Sequence, residues 1–191
     1  ARFPHGPVGS MAAVTIGNWV YACGGLMKSY VSRDCAKYSV TKNKWLTTSS
    51  MKYSVHHAAA GTDGDKMIVF GGRSIQENKV ADGTRFIQIY SPSDNKWKLS
   101  PALLPFKLSG MGAAPFLNGR FFLTGGETKT QVSIATAEKV FDQTHSFDAI
   151  TNTWYSEAPL PVGLHGISPV ADHARNMIYV AGGGTKAGAG G

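Results

Sequence analysis

Short apolar runs recur along the chain, and four of them end in a glycine pair. They are Tyr21-Ala22-Cys23-Gly24-Gly25, Ile68-Val69-Phe70-Gly71-Gly72, Phe122-Leu123-Thr124-Gly125-Gly126 and Tyr179-Val180-Ala181-Gly182-Gly183. Between these landmarks lies a second pattern: an aromatic residue, a polar turn, then tryptophan. Tyr38 precedes Trp45, Tyr90 precedes Trp97 and Phe147 precedes Trp154, with Asn43, Asn95 and Asn152 each two residues before the Trp. A register kept over three copies is an internal repeat, the signature of stacked modules. Glycine pair to aromatic takes 14, 19 and 22 residues, whereas Trp to the next pair takes 26, 28 and 28. One connection therefore absorbs the insertions and the rest is fixed.

Each repeat reads as four short strands, A to D. In the second, strand A covers 56–61, and Thr62-Asp63-Gly64-Asp65 makes a turn. Strand B covers 66–70, apolar and rich in β-branched residues, and ends at the glycine pair, where φ can be positive. Strand C covers 86–90, 91–95 turns, and strand D opens at Lys96-Trp97. The Pro-containing link 101–105 leads to the next strand A. Asn118-Gly119 predicts the A–B hairpin of the third repeat. The first strand A covers 9–15, and the chain ends just after a fourth strand B. No segment makes a convincing amphipathic helix; residues 134–141 could form two helical turns inside the longest insertion.

Composition agrees with an all-β chain full of tight turns: 191 residues, 42% hydrophobic, 16% charged, with 23 Gly, nine Phe, seven Tyr and four Trp. A disordered chain would be more charged and less apolar, and no apolar run is long enough to span a membrane. The net charge of +7 suits nucleic acid, anionic surfaces or acidic partners, but the charges are dispersed, as for ordinary solubility. Position 1 is not Met and no signal-peptide core is present, so the chain is expected to begin inside something larger or to have been processed.

The repeat resembles the kelch repeat, a blade of a β-propeller. The residues that carry the resemblance are Gly71-Gly72, Tyr90-Ser91-Pro92, Asn95 and Trp97, then Phe147-Asp148, Thr151-Asn152, Trp154, Pro159, Pro161 and His165-Gly166. Two features depart from the family pattern. Ser39 and Ser91 replace the usual Asp, and the usual Arg after the Pro link is absent, with Ser54, Leu108 and Val162 nearby instead. The resemblance covers essentially the whole chain and implies an all-β propeller of four-stranded antiparallel blades. Approximate repeats are 5–50, 51–104, 105–160 and a truncated 161–191, together one partial propeller. About three and a half blades cannot close a ring, so the remaining blades of the same propeller are an expected partner.

In that architecture strand A lines the central channel, and the D–A and B–C connections share one face, which commonly binds ligands. On that face the resemblance places Lys28, Arg33, Lys52, Tyr53, His56, Arg73, Arg85, Phe106, Lys107 and His165, with Tyr30, Lys79, Lys129 and Lys139 beside them. Arg, Lys and aromatic residues on variable loops suit recognition. Asp34, Glu77, Asp82, Glu127, Glu138 and Asp142 interleave. Aligning the strand A starts sets Gly9, His56, Gly110 and Gly166 together, preceded by Val8, Val55, Ser109 and His165. No histidine ring and no convergent polar cluster emerges from that alignment, and His56-His57 reads as one channel-facing and one packed residue.

No zinc spacing, nucleophile elbow, phosphate loop or carboxylate pair is present, so no catalytic residue, metal or cofactor is assigned. The repeat Tyr and Trp residues are blade core, which leaves little for nucleic-acid stacking. The expected function is a non-catalytic binding module for a protein or glycan partner. The alternative is a fragment of a kelch-type enzyme, resembling the galactose oxidase-like copper radical oxidases or the sialic acid epimerases, with its site at the propeller mouth. Cys23 ends strand B and Cys35 opens strand C. As antiparallel neighbours they can face each other as a disulfide or remain two buried thiols. A disulfide would favour a secreted, oxidising setting over the cytoplasm.

Overall fold

The computed structural model describes residues 1–76, 79–132 and 135–187, with the backbone alone described within 75–82 and 129–138. Eighteen strands and no helix are found among them. In the first repeat β1 (Ala12–Ile16), β2 (Trp19–Cys23), β3 (Cys35–Ser39) and β4 (Lys44–Thr48) form one antiparallel sheet in sequence order. The second repeat adds β5 (Ala59–Thr62), β6 (Met67–Phe70), β7 (Arg73–Gln76), β8 (Lys79–Gly83), β9 (Ile87–Ser91) and β10 (Lys96–Leu99). Here β5-β6-β9-β10 is the four-stranded sheet and β7-β8 a separate hairpin. The third repeat holds β11 (Phe116–Leu117), β12 (Arg120–Thr124), β13 (Glu127–Val132), β14 (Ala135–Val140), β15 (Thr144–Asp148) and β16 (Thr153–Glu157). Its sheet is β11-β12-β15-β16 with hairpin β13-β14. β17 (Val170–Asp172) and β18 (Met177–Tyr179) pair alone. The described residues thus form three four-stranded blades and two strands of a fourth, in an open ring.

The variable B–C connection is where β7-β8 and β13-β14 lie, and β8 of one hairpin packs beside β13 of the next. Residues 135–140, in the segment that could have formed two helical turns, are strand. Their backbone pairs with β13 from Glu127↔Val140 to Val132↔Ala135. Residue 134 lies outside the described residues.

Each core sits in the seam between two blades. The second blade's β6 alternates: Met67 and Val69 join Tyr21, Cys23, Met51, Val55, Tyr90 and Trp97 on the first-blade side. Ile68 and Phe70 join Leu104, Leu108, Phe121 and Phe147 on the third-blade side. A strand buried on both faces needs apolar residues at both parities, which explains its unbroken Met-Ile-Val-Phe. The repeat Trp residues occupy equivalent seams. Trp97 Nε1 donates to Ser49 O and Trp154 Nε1 to Leu103 O, both at 2.9 Å, and Trp45 packs edge-on to Phe3. The Asn two residues earlier has φ of 44°, 54° and 58° at Asn43, Asn95 and Asn152, a left-handed turn position that Asn tolerates.

The glycine pairs fasten the blades together. The second amide of each donates to the segment entering the next blade: Gly25 to Val55, Gly72 to Leu108 and Gly126 to Leu164, at 2.7–2.9 Å. A Cβ on Gly24 would stand 2.6 Å from both Val55 O and Met51 Cε. At the three pairs that meet a following blade, φ is positive and the next blade's backbone is too close to the first glycine for any side chain.

Candidate binding face and channel mouth

A chain of backbone hydrogen bonds crosses the strand A entries. His57 N donates to Ser10 O, Gly110 N to His57 O and Gly166 N to Gly110 O. These four residues also share a positive φ, 55°, 54°, 71° and 67° in chain order. They are therefore equivalent, and the entry residues before them are Gly9, His56, Ser109 and His165. This corrects the sequence alignment by one residue in the third and fourth repeats. Glycine there suggested equivalence with His56, whereas its partner is His57, a side-chain residue held left-handed. Each entry residue bridges the residue after its glycine pair: Gly9 to Leu26, His56 to Arg73, Ser109 to Glu127 and His165 to Gly184.

Two ring positions thus meet at the mouth, and their side chains form the cluster that the sequence did not reveal. Arg73 Nη2 lies 2.7 Å from Glu127 Oε1, and Arg73 Nε donates to Ser109 Oγ at 3.0 Å. The two charged side chains are 13% and 4% exposed. His165 Nδ1 stands 3.6 Å from the same carboxylate oxygen and its Nε2 2.6 Å from Lys186 O. On the first-blade side His57 Nε2 is 3.1 Å from Ser10 Oγ, and the Nδ1 atoms of His56 and His57 are 2.5 Å apart. Burial, then the facing His57, then Arg73 hold the His56 imidazole down to about 4. His57 is also lowered, by burial and Arg73, against an opposing pull from Glu127. Both rings are thus neutral near pH 7, which keeps positive charge from accumulating beside Arg73.

The expected site residues fall into two groups. His56, Arg73 and His165 belong to this mouth, with Ser10, His57, Ser109 and Glu127 added by the fold. The sign of the missed cluster was a charge reversal at one repeat position, Arg73 against Glu127. Lys28, Arg33, Lys52, Tyr53, Arg85 and Lys107 are exposed on the surrounding loops, and Phe106 is half-buried. Arg33 O and Arg85 O accept from the equivalent link amides of Met51 and Leu104, so the two arginines are repeat equivalents. Arg85 Nε is held by Leu104 O at 2.5 Å. The side chains of Glu77, Lys79, Asp82, Lys129 and Glu138 lie outside those described.

Tyr53 stacks on Phe86 at 4.5 Å and 11°, and both its backbone N–H and its carbonyl are gripped by the buried Gln88 amide at 2.9 and 3.2 Å. Phe106 packs on Phe141 at 4.6 Å. Cys23 and Cys35 are directly paired in the β2–β3 register, Cα atoms 4.2 Å apart and sulfurs in bonding contact, at the base of the loop carrying Lys28, Tyr30 and Arg33. Among the described residues no cluster of His, Cys, Asp and Glu is placed to hold a metal ion, and no helix is long and apolar enough to cross a membrane.

Four-stranded blades whose innermost strands bond side by side around a common mouth define a β-propeller architecture. No family model matches the chain. Among curated proteins it is similar to Kelch-like protein terF of Aspergillus terreus, 26% identical over 95% of this chain and 39% of that protein. It is also similar to Kelch-like protein 25 of Xenopus tropicalis, 26% identical over 96% of this chain and 29% of the relative. Kelch-like protein 23 of Mus musculus is 29% identical over 96% and 28% respectively. These similarities run over essentially the whole chain and support a kelch-repeat family, and the chain spans well under half the length of these relatives.

Proposed function

We propose that this chain is the recognition part of a protein-binding module, using the face formed by the D–A links and B–C loops. One observation carries the reading. Exposed Tyr30 and Tyr53, 50% and 42% accessible, stand on that face among exposed Lys28, Arg33, Lys52, Arg85 and Lys107. Tyr and Arg are the side chains that anchor protein interfaces. The mouth beneath is occupied by an ion pair and hydrogen bonds within the protein, an arrangement that favours holding the blades in register over chemistry on a substrate. The kelch-like relatives are in keeping with a binding module. A glycan partner is the other outcome to be distinguished, and a Cys23–Cys35 bond would go with an oxidising, secreted setting.

Site-specific photocrosslinking tests this. A photoreactive residue at Tyr53 or Lys28 is expected to yield discrete protein adducts. The same group at Ile150, exposed in the outer C–D turn, is expected to yield none of them. Adducts at Ile150 alone, or release of the adducts by glycosidase, would overturn the reading.

A further inference from the structure

We propose that Asn118 is a spontaneous deamidation site, its side-chain amide displaced by the Gly119 backbone nitrogen, and that Asn176 guards it across the third seam, between the third blade and β17–β18. The site lies at the A–B turns, the opposite end of the blades from the binding face, and does not depend on that reading.

Four A–B turns lie at that end. They contain Gly17-Asn18, Asp63-Gly64, Asn118-Gly119 and Arg175-Asn176, so the third alone places Asn before Gly, whose nitrogen no side chain shields. Asn118 and Gly119 are exposed, with φ of 50° and 79°, the two left-handed positions of a two-residue hairpin loop. A Cβ on Gly119 would meet nothing within 4 Å, so the approach to its nitrogen is open. At Asp63-Gly64 the corresponding group is a carboxylate, a poorer electrophile. Its Oδ1 is held by Asp65 N and Lys66 N at 3.0 and 2.8 Å.

In the reaction the Gly119 nitrogen bonds to Asn118 Cγ, the Cγ–Nδ2 bond breaks, and Nδ2 leaves as ammonia with the proton from Gly119. Water opens the resulting succinimide at either carbonyl, giving aspartate or isoaspartate, and nothing is oxidised or reduced. Attack requires the Asn118 amide to turn onto its own backbone. The structure holds it elsewhere: Nδ2 donates to Asn176 Oδ1 at 2.5 Å, in the turn of the fourth repeat. Opening of that contact gates the reaction.

The same contact fastens the fourth repeat. At the mouth, Gly112 N donates to Ile167 O, Gly126 N to Leu164 O and Gly166 N to Gly110 O. At the far end Asn118 holds Asn176, and beside this contact lies a cavity of about 400 Å³ lined by Phe122, Thr124, Ile178 and Val180. Isoaspartate adds a methylene to the main chain of a two-residue loop. That disturbs the Phe116↔Phe121 and Leu117↔Arg120 register and removes the amide that holds Asn176. Conversion therefore loosens β17 and β18.

The test is incubation of the folded protein at mildly alkaline pH, followed by peptide mapping that reads the exchange of amide NH2 for OH by mass and separates isoaspartate by chromatography. Asn118 is expected to convert at least about tenfold faster than Asn18, Asn43, Asn95, Asn152 or Asn176, each followed by a residue with a side chain. Asn176→Ala is expected to speed conversion about fivefold, and Asn176→Asp, which keeps an acceptor, to stay near the wild-type rate. Circular dichroism with thermal melting confirms that both variants are folded. In converted protein, hydrogen exchange is expected to rise in residues 170–179 and to stay unchanged in 12–48. An Asn118 that stays intact while a free peptide of residues 116–121 converts, or equal rates at all the asparagines, overturns the site. Equal rates in wild type and Asn176→Ala, or equal acceleration in both variants, overturns the guarding role of Asn176. Unchanged exchange in 170–179 after conversion overturns the fastening.

Discussion

Arg73 and Glu127 occupy the same position in successive repeats, and their side chains meet at 2.7 Å across the seam between the second and third blades. One backbone plan thus places opposite charges where they cross-link the ring. Removing one partner strands the other in a largely buried site. Arg73→Ala and Glu127→Ala are each expected to lose about 3 kcal/mol of unfolding free energy, while Arg73→Met/Glu127→Leu loses much less than their sum. Urea unfolding of the four proteins measures this.

Gly24 and Gly182 are repeat equivalents with φ of 68° and 71°, but a Cβ on Gly24 meets Val55 O and Met51 Cε at 2.6 Å, whereas Gly182 has open space. Gly182→Ala should cost only backbone strain, about 1 kcal/mol. Gly24→Ala should cost at least ~2 kcal/mol more, since the next blade must move. Equal melting shifts would contradict the inter-blade role of the pair.

The repeat itself was legible because its landmarks are local: glycine pair, aromatic, Asn and Trp keep their spacing within one blade. Strand ends fell within a few residues; the second strand A, expected over 56–61, is β5 at 59–62 with His56 bridging Arg73 instead. The mouth was not legible, because it draws about one side chain per ring position from repeats whose residues differ there. Ser10 and His57 adopt the left-handed conformation that Gly110 and Gly166 signal openly, which is why the alignment slipped. The insertion hairpins carry no repeat register, so β14 was read as potential helix.

His56 is held near 4, well below the ordinary 6.5, by burial, His57 and Arg73. As pH falls below about 6.5 the unfolded chain takes the proton first, so this histidine's contribution to stability declines between about 6.5 and 4 and is level below that. Urea midpoints at pH 7.5 and 5 should differ in the wild type and differ less in His56→Gln. His57, also lowered, acts in the same direction.

Cys23 and Cys35 are 1–2% exposed and twelve residues apart. A bond between them removes two hydrogens, seen as a mass deficit that reduction abolishes. Closing that loop should be worth about 3 kcal/mol against the reduced protein. Two alkylatable thiols after unfolding in the absence of reductant would remove the argument for an oxidising compartment.

The central claim, that the D–A links and B–C loops form the binding face, is tested most directly by hydrogen–deuterium exchange on the complex with a partner captured at Tyr53. Protection is expected in residues 26–34, 51–55, 84–86 and 104–108, with no change in the A–B turns at 62–65 and 118–119. Protection confined to those turns, or to the outer strands β4, β10 and β16, would contradict the account.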